Sequence, residues 1–191
     1  MNALLERVSP YATNIIRTDH SHVLASFHQY KSSSAPRVKQ GLVNTVCLAL
    51  EVHAQLEEEI FYPAMRAVSE LEFLRNAPGE HDEMRRLITR LRAMAPTDPQ
   101  YDETFMTLMR DVMHHVADGE TQLLPEAERL LQGRLGGLGA KMTRRRLALM
   151  APRTGAIASN MARALPATSI ALVAGVLAGG LFLGNRVRAR R

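Results

Sequence analysis

The stretch HAQLEEEIFYP, residues 53–63, sets a histidine and a glutamate one helical turn apart. On an α-helix His53 and Glu57 therefore share a face. The neighbouring apolar positions make that face the inner one, where a charged carboxylate is costly unless it is paired or bound to a metal. A single HxxxE is short and common, and a lone core histidine is ordinary. Here the pattern has an echo in HVADGETQLLP, residues 115–125, which again opens on histidine and closes on proline. In this second copy the +4 position is Gly119 and the acid is Glu120 at +5, about 140° away on a regular helix. A one-residue π-bulge near Gly119 would return Glu120 to the inner face, and such bulges cluster at functional sites. Asp118, at +3, is the alternative that needs no bulge.

Two more histidines, His20 and His81, sit on apolar stripes of their own. Four inward histidines, one per helix, are hard to satisfy as separate core residues, whereas a metal gives imidazoles at one level a common partner. Imidazole mixed with carboxylate favours iron, manganese or zinc over calcium or soft copper. Cys47 is the only cysteine, which excludes a disulfide framework and a four-cysteine zinc site. Its apolar surroundings (VCLAL) mark it as a small core residue. Four histidines with two carboxylates suit two ions bridged by the carboxylates. Six ligands leave coordination positions open for an exogenous molecule.

The elements that must position these residues are helical throughout. The first pattern runs from about Pro10 to Lys31, with Ile16, His20, Val23 and Phe27 aligned, and SSSAP (32–36) ends it. The second runs from about Arg37 to Glu70, with Val46, Leu50, His53, Glu57 and Ile60 in line. The third is expected to start near Pro78 and to end before Pro96, carrying His81, Met84, Ile88 and Leu91. The fourth runs from about Pro99 to Leu131, with Phe105, Leu108, Val112 and His115 aligned and Asp98 as its N-cap. No strand-like alternation appears. Four helices with short connections read as an all-α, up-down-up-down four-helix bundle over residues 1–133.

Charge divides the chain. All 19 acidic residues lie within 1–133 beside 13 of the 24 basic ones, a net of −6, and the 11 basic residues that follow have no acid among them. Residues 134–165, Gly- and Arg-rich, read as a basic linker or a loosely amphipathic surface segment. Residues 166–185 hold a single uncharged hydrophobic stretch long enough to cross a bilayer as a transmembrane helix, and 186–191 form a basic tail. Gly175 and Gly179, with Gly180 and Gly184, give GxxxG spacings that suit homo-oligomer contact. No signal peptide opens the chain, so the expectation is a membrane-associated protein whose metal domain faces the cytoplasm. The basic tail has no recognition helix or aromatic platform, so no nucleic-acid partner is expected.

TDH at 18–20, HAQLEEEIFYP at 53–63, EHDEM at 80–84 and HVADGETQLLP at 115–125 together resemble the hemerythrin-like (HHE cation-binding) domain, over roughly residues 10–133. The resemblance implies a non-haem di-iron centre, two iron ions in a four-helix bundle, that binds or senses oxygen, nitric oxide or a peroxide. Carried over by position, its ligands are His20, His53, Glu57, His81, His115 and Glu120. The oxygen carriers of the family have a further histidine where this chain has Ala77. That departure turns the expectation from reversible oxygen carriage towards sensing, peroxide or nitric oxide chemistry, including consumption by an enzyme, or iron handling. Asp19 is expected either to support a ligand or to face solvent. Glu58 and Glu59 are assigned to the solvated face, His22, His28 and His114 to the surface, and Glu80 to a direction about 100° from His81.

Overall fold

The computed structural model describes residues 10–164. Its elements are α1 (Ala12–His28), α2 (Pro36–Leu56), α3 (Tyr62–Arg66), α4 (Glu72–Ala93), α5 (Tyr101–Asp118), α6 (Leu124–Leu130), α7 (Leu135–Met150) and α8 (Thr154–Ala164). π-helical turns, Glu57–Phe61 and Gly119–Leu123, join α2 to α3 and α5 to α6, so each pair forms one interrupted rod. No strand occurs among the described residues, and the fold is an all-helical bundle.

Apolar residues form two clusters. One contains Ile16, Leu56, Phe61, Tyr62, Phe73, Ala77 and Leu123. The other contains Val23, Leu50, Met84, Phe105 and Val112. Along every rod the chain passes from one cluster to the other at its histidine: Ile16 to Val23 around His20, Leu50 to Leu56 around His53, Ala77 to Met84 around His81, and Val112 to Leu123 around His115. The histidines thus form a polar layer closed at both ends by hydrocarbon. Cys47 lies in the second cluster, fully buried, and burial pushes its thiol up to about 12, as befits a packing residue.

The third helix begins earlier than its proline suggests. α4 starts at Glu72 and holds Pro78 inside it. A proline there cannot donate to the carbonyl four residues back, which is that of Leu74. Arg66 Nη2 donates to that carbonyl instead, at 2.9 Å. Asp98 is also not the N-cap. It accepts from the Gln100 amide at 2.8 Å, a side-chain turn just ahead of α5.

The stretch expected as a linker is largely helical and packed. In α7, Leu135, Leu138, Met142 and Leu149 are buried in the same cluster as Phe61 and Leu124. Gly139 is required there, because a Cβ would stand 1.9 Å from the Pro10 carbonyl oxygen. α8 lies against α2, where a Cβ on Gly41 would come within 2.7 Å of the Ala164 amide.

The hydrophobic stretch 166–185 with its GxxxG spacings and the tail 186–191 lie outside the described residues. No helix among the described residues is long and apolar enough to cross a membrane. The expectation of a membrane-associated protein with its metal domain facing the cytoplasm is corrected accordingly: no described helix supplies a membrane span.

Candidate metal centre

His20, His53, His81, His115 and Glu57 are all buried and converge at one level of the bundle. Each imidazole is held from behind by a carboxylate. His20 Nδ1 lies 2.8 Å from Glu120 Oε1, His53 Nδ1 3.2 Å from Asp19 Oδ2, His81 Nδ1 2.8 Å from Glu58 Oε1, and His115 Nδ1 2.7 Å from Glu80 Oε2. An ionised carboxylate only accepts, so each Nδ1 carries the proton and donates it. The Nε2 atoms are thereby left for the interior, the arrangement that orients metal-binding histidines and raises their basicity.

Inside the ring of Nε2 atoms stands one carboxylate. Glu57 Oε2 lies 3.4 Å from His53 Nε2, 3.4 Å from His81 Nε2 and 3.5 Å from His115 Nε2. His81 Nε2 and His115 Nε2 are 3.3 Å apart. His20 Nε2 and His53 Nε2 are buried with no hydrogen-bond partner among the described residues. Donors about 2.0–2.1 Å from a common ion are themselves about 2.8–3.4 Å apart at octahedral or tetrahedral angles. The spacing and the orphaned nitrogens therefore fit a metal. The donors fall into two trios, His20–His53–Glu57 and Glu57–His81–His115, each with its donor atoms within 4.8 Å of one another. Glu57 belongs to both.

Electrostatics of the metal-free site follow from this crowding. Burial opposes the charge on Glu57, but His53, His115 and His81 around it outweigh burial and hold it well below the usual carboxylate range. Burial likewise works against a protonated His53, yet Glu57 and Asp19 push it up to about 10. His115 is raised to about 8 by Glu57 and Glu80 against the same penalty. His20 goes the other way: burial, with the His53 charge behind it, lowers it. Protons on His53 and His115 thus balance the buried carboxylate when no metal does.

The sequence placed His20, His53, Glu57, His81 and His115 together, and the structure does so too. Glu120 is expected beside them as a ligand, but it stands behind His20. The π-turn expected near Gly119 is present, and it aims Glu120 at the outer nitrogen of His20, with Arg17 Nε 3.2 Å from its other oxygen. Glu58 is not simply solvated, since it bridges His81 and Arg85. Glu80 points away from its own neighbour His81 and across to His115. His22, His28 and His114 are exposed, as expected. Tyr62 escapes a sequence reading altogether. Its hydroxyl donates to Glu57 Oε2 at 2.6 Å and its ring stacks on His81, with centroids 5.7 Å apart. The first π-turn makes this contact, by bringing residues 57 and 62 within one turn; the only sequence sign was its correspondence with the second motif.

Beside the histidines lies a small void of about 10 Å³, walled by Val23, Leu50, Met84, Val112 and Val116. It has room for about one water-sized molecule.

A family model for the hemerythrin HHE cation-binding domain matches residues 11–127. Among curated proteins, a DNA nickase from Nostoc sp. is 30% identical over 110 residues, which cover 58% of this chain. This chain spans about a third of that protein's length, the match covering 31% of it. Among solved structures, a hemerythrin HHE cation-binding domain-containing protein from Mycobacterium kansasii superposes with a TM-score of 0.65. That match is 16% identical and covers 81% of this chain and 99% of the other, which shows a shared fold.

Proposed function

This chain belongs to the hemerythrin HHE cation-binding domain family, and from that membership we propose that it holds a non-haem di-iron centre and binds a small diatomic or peroxide molecule there. The observation that carries the reading is the pair of donor trios sharing Glu57. Each iron would take two imidazole Nε2 atoms, His20 and His53 on one side and His81 and His115 on the other, with Glu57 common to both. Four imidazoles and one carboxylate cannot fill two six-coordinate ions, so exchangeable positions remain. Iron, when bound, supplies a redox-active Lewis acid at those positions.

The chain's own residues do the rest. Asp19, Glu58, Glu80 and Glu120 hold the four rings and fix which nitrogen faces inward. The Tyr62 hydroxyl holds Glu57. The apolar wall from Val23 to Val116 leaves the adjoining space too small for an organic substrate. Glu120 serves in this reading as the support for His20.

Ala77, buried where the oxygen carriers have a further histidine, leaves the centre one imidazole short. This supports sensing or peroxide and nitric oxide chemistry over reversible oxygen carriage. The test is metal analysis and an absorption spectrum of the full chain, before and after oxygen and azide. Two irons per chain with new charge-transfer bands are expected; zinc, or no metal, would overturn the reading.

A further inference from the structure

We infer that Arg146, on α7, is a positioning residue of the metal centre, so that a helix beyond the family-matched stretch completes the surroundings of His53. The inference rests on the metal-centre reading above and extends it to the C-terminal part of the chain.

The geometry is a chain of three groups. Arg146 Nη1 donates to Asp19 Oδ1 at 2.8 Å, and Nη2 donates to Oδ2 of the same carboxylate. Asp19 Oδ2 in turn accepts from His53 Nδ1 at 3.2 Å. The two-pronged grip fixes the carboxylate in plane as well as in place, which a single ammonium cannot do. His53 Nε2, at the far side of the ring, is one of the two buried imidazole nitrogens left without a hydrogen-bond partner among the described residues.

Comparison with the other histidines shows what is particular here. Glu120 behind His20 is met by Arg17, and Glu58 behind His81 by Arg85, both arginines of the bundle helices themselves. Those carboxylates keep 31% and 30% of their side-chain surface exposed, whereas Asp19 keeps 13%. A carboxylate so far from water depends on its protein partners to remain ionised. Arg146 is the partner that does not itself belong to the metal site.

The helix that carries Arg146 is fixed, not loosely apposed. Leu135, Leu138, Met142 and Leu149 anchor it in the core, and Gly139 lets it cross the start of α1 in backbone contact. A second ion pair, Arg145 Nε to Glu59 Oε2 at 2.7 Å, joins α7 to the first π-turn at an exposed position. That pair ties down the same helix but touches no group behind a histidine, so it serves as the internal control.

The experiment uses the full chain loaded with iron and compares R146A, R146K, D19N and R145A. Iron affinity is measured by chelator competition, and the midpoint potential and charge-transfer spectrum are recorded on the loaded proteins. D19N should lose about 10–100-fold in affinity, the usual effect of removing an outer-shell partner. R146A should lose up to about tenfold on the same scale and shift to a more negative potential, because removing a nearby cation favours the more oxidised metal. R146K, which keeps the charge but not the fork, should fall between R146A and wild type, and it provides the comparison if R146A does not fold. R145A should leave affinity, potential and spectrum unchanged. If R146A or R146K lowers only thermal stability, with affinity, potential and spectrum matching R145A, Arg146 is a structural clamp and the inference is overturned. Failure of the wild-type chain to bind iron would instead overturn the metal-centre reading, and this inference with it.

Discussion

The Tyr62 hydroxyl donates a 2.6 Å hydrogen bond to the same Glu57 oxygen that faces three histidine Nε2 atoms. Tyr62 is fully buried, and burial together with the Glu57 charge raises it well above its ordinary value, so it acts as a donor at any physiological pH. A hydrogen bond to a buried charge contributes about 1.5–3 kcal/mol. Tyr62→Phe keeps the ring that stacks on His81 and removes only the hydroxyl. The metal-free variant should therefore be less stable by about that amount in urea titration, and identical midpoints would show that the hydroxyl contributes nothing to holding Glu57.

Stability of the metal-free chain should fall on the alkaline side. His53 and His115 have folded-state values of about 10 and about 8, above the ordinary histidine value of 6.5. A raised value means that their contribution is fully present below 6.5 and is lost as pH climbs through 8 and 10. Glu57 and His20 are both lowered, so their contributions fade in the other direction, as pH falls. A bound metal replaces the imidazole protons and binds more tightly as they leave. Thermal melts of the stripped protein should drop between neutral pH and pH 10, whereas the loaded protein should hold its melting temperature over the same range; parallel curves would contradict the assignment of Nε2 as the metal-facing nitrogen.

Much of this centre was legible because helical spacing is rigid. His20, His53, His81 and His115 lie on stripes with neighbours such as Ile16, Leu50, Met84 and Val112, and the stripes put all four in the core. Gly119 and the +5 position of Glu120 announced a π-turn, which is present. Periodicity could not say which nitrogen Glu120 would meet, because that depends on how far the turn rotates it and on Arg17 beside it. Nor could it reveal the first π-turn, since His53 and Glu57 already share a face on a regular helix and nothing is visibly out of register. Glu58 reads as solvent-facing and Glu80 as turned about 100° from His81, and only a neighbouring helix brings His81 to the first and His115 to the second. Pro78 reads as a helix start because a proline leaves a carbonyl unpaired inside a helix; here Arg66, a residue from another element, satisfies that carbonyl. Residues 134–165 read as a basic linker or a loosely amphipathic surface segment, whereas buried Leu135, Leu138 and Met142 show an anchored helix in α7.

Glu57 and Glu120 should separate cleanly in metal binding. Glu57 is shared by both donor trios, and Glu120 belongs to neither. Glu57→Gln replaces one acceptor oxygen by an amide that cannot bridge, and should abolish binding of the iron pair. Glu120→Gln still reaches His20 Nδ1 with its carbonyl oxygen, so it should keep full metal stoichiometry with about a 10–100-fold loss of affinity. Metal analysis after dialysis against graded chelator distinguishes them. Loss of stoichiometry in Glu120→Gln equal to that in Glu57→Gln would make Glu120 a ligand after all.

Leu50 forms part of the apolar wall beside the histidines and is buried in the second cluster. Leu50→Ala removes most of a side chain from a site where the helices are held apart by the histidine layer, so the space should not collapse. The expected cost is about 2–5 kcal/mol in unfolding free energy, the range for such truncations. The void, about 10 Å³ in the wild type, should widen enough to admit ligands that the wild-type wall excludes. Titration of the iron-loaded protein with azide should then show tighter or faster binding than in the wild type, read from the charge-transfer band. Unchanged azide affinity and rate in a variant destabilised by the expected amount would mean that exogenous ligands reach the metals by another side, and that the Val23–Val116 wall does not set their size.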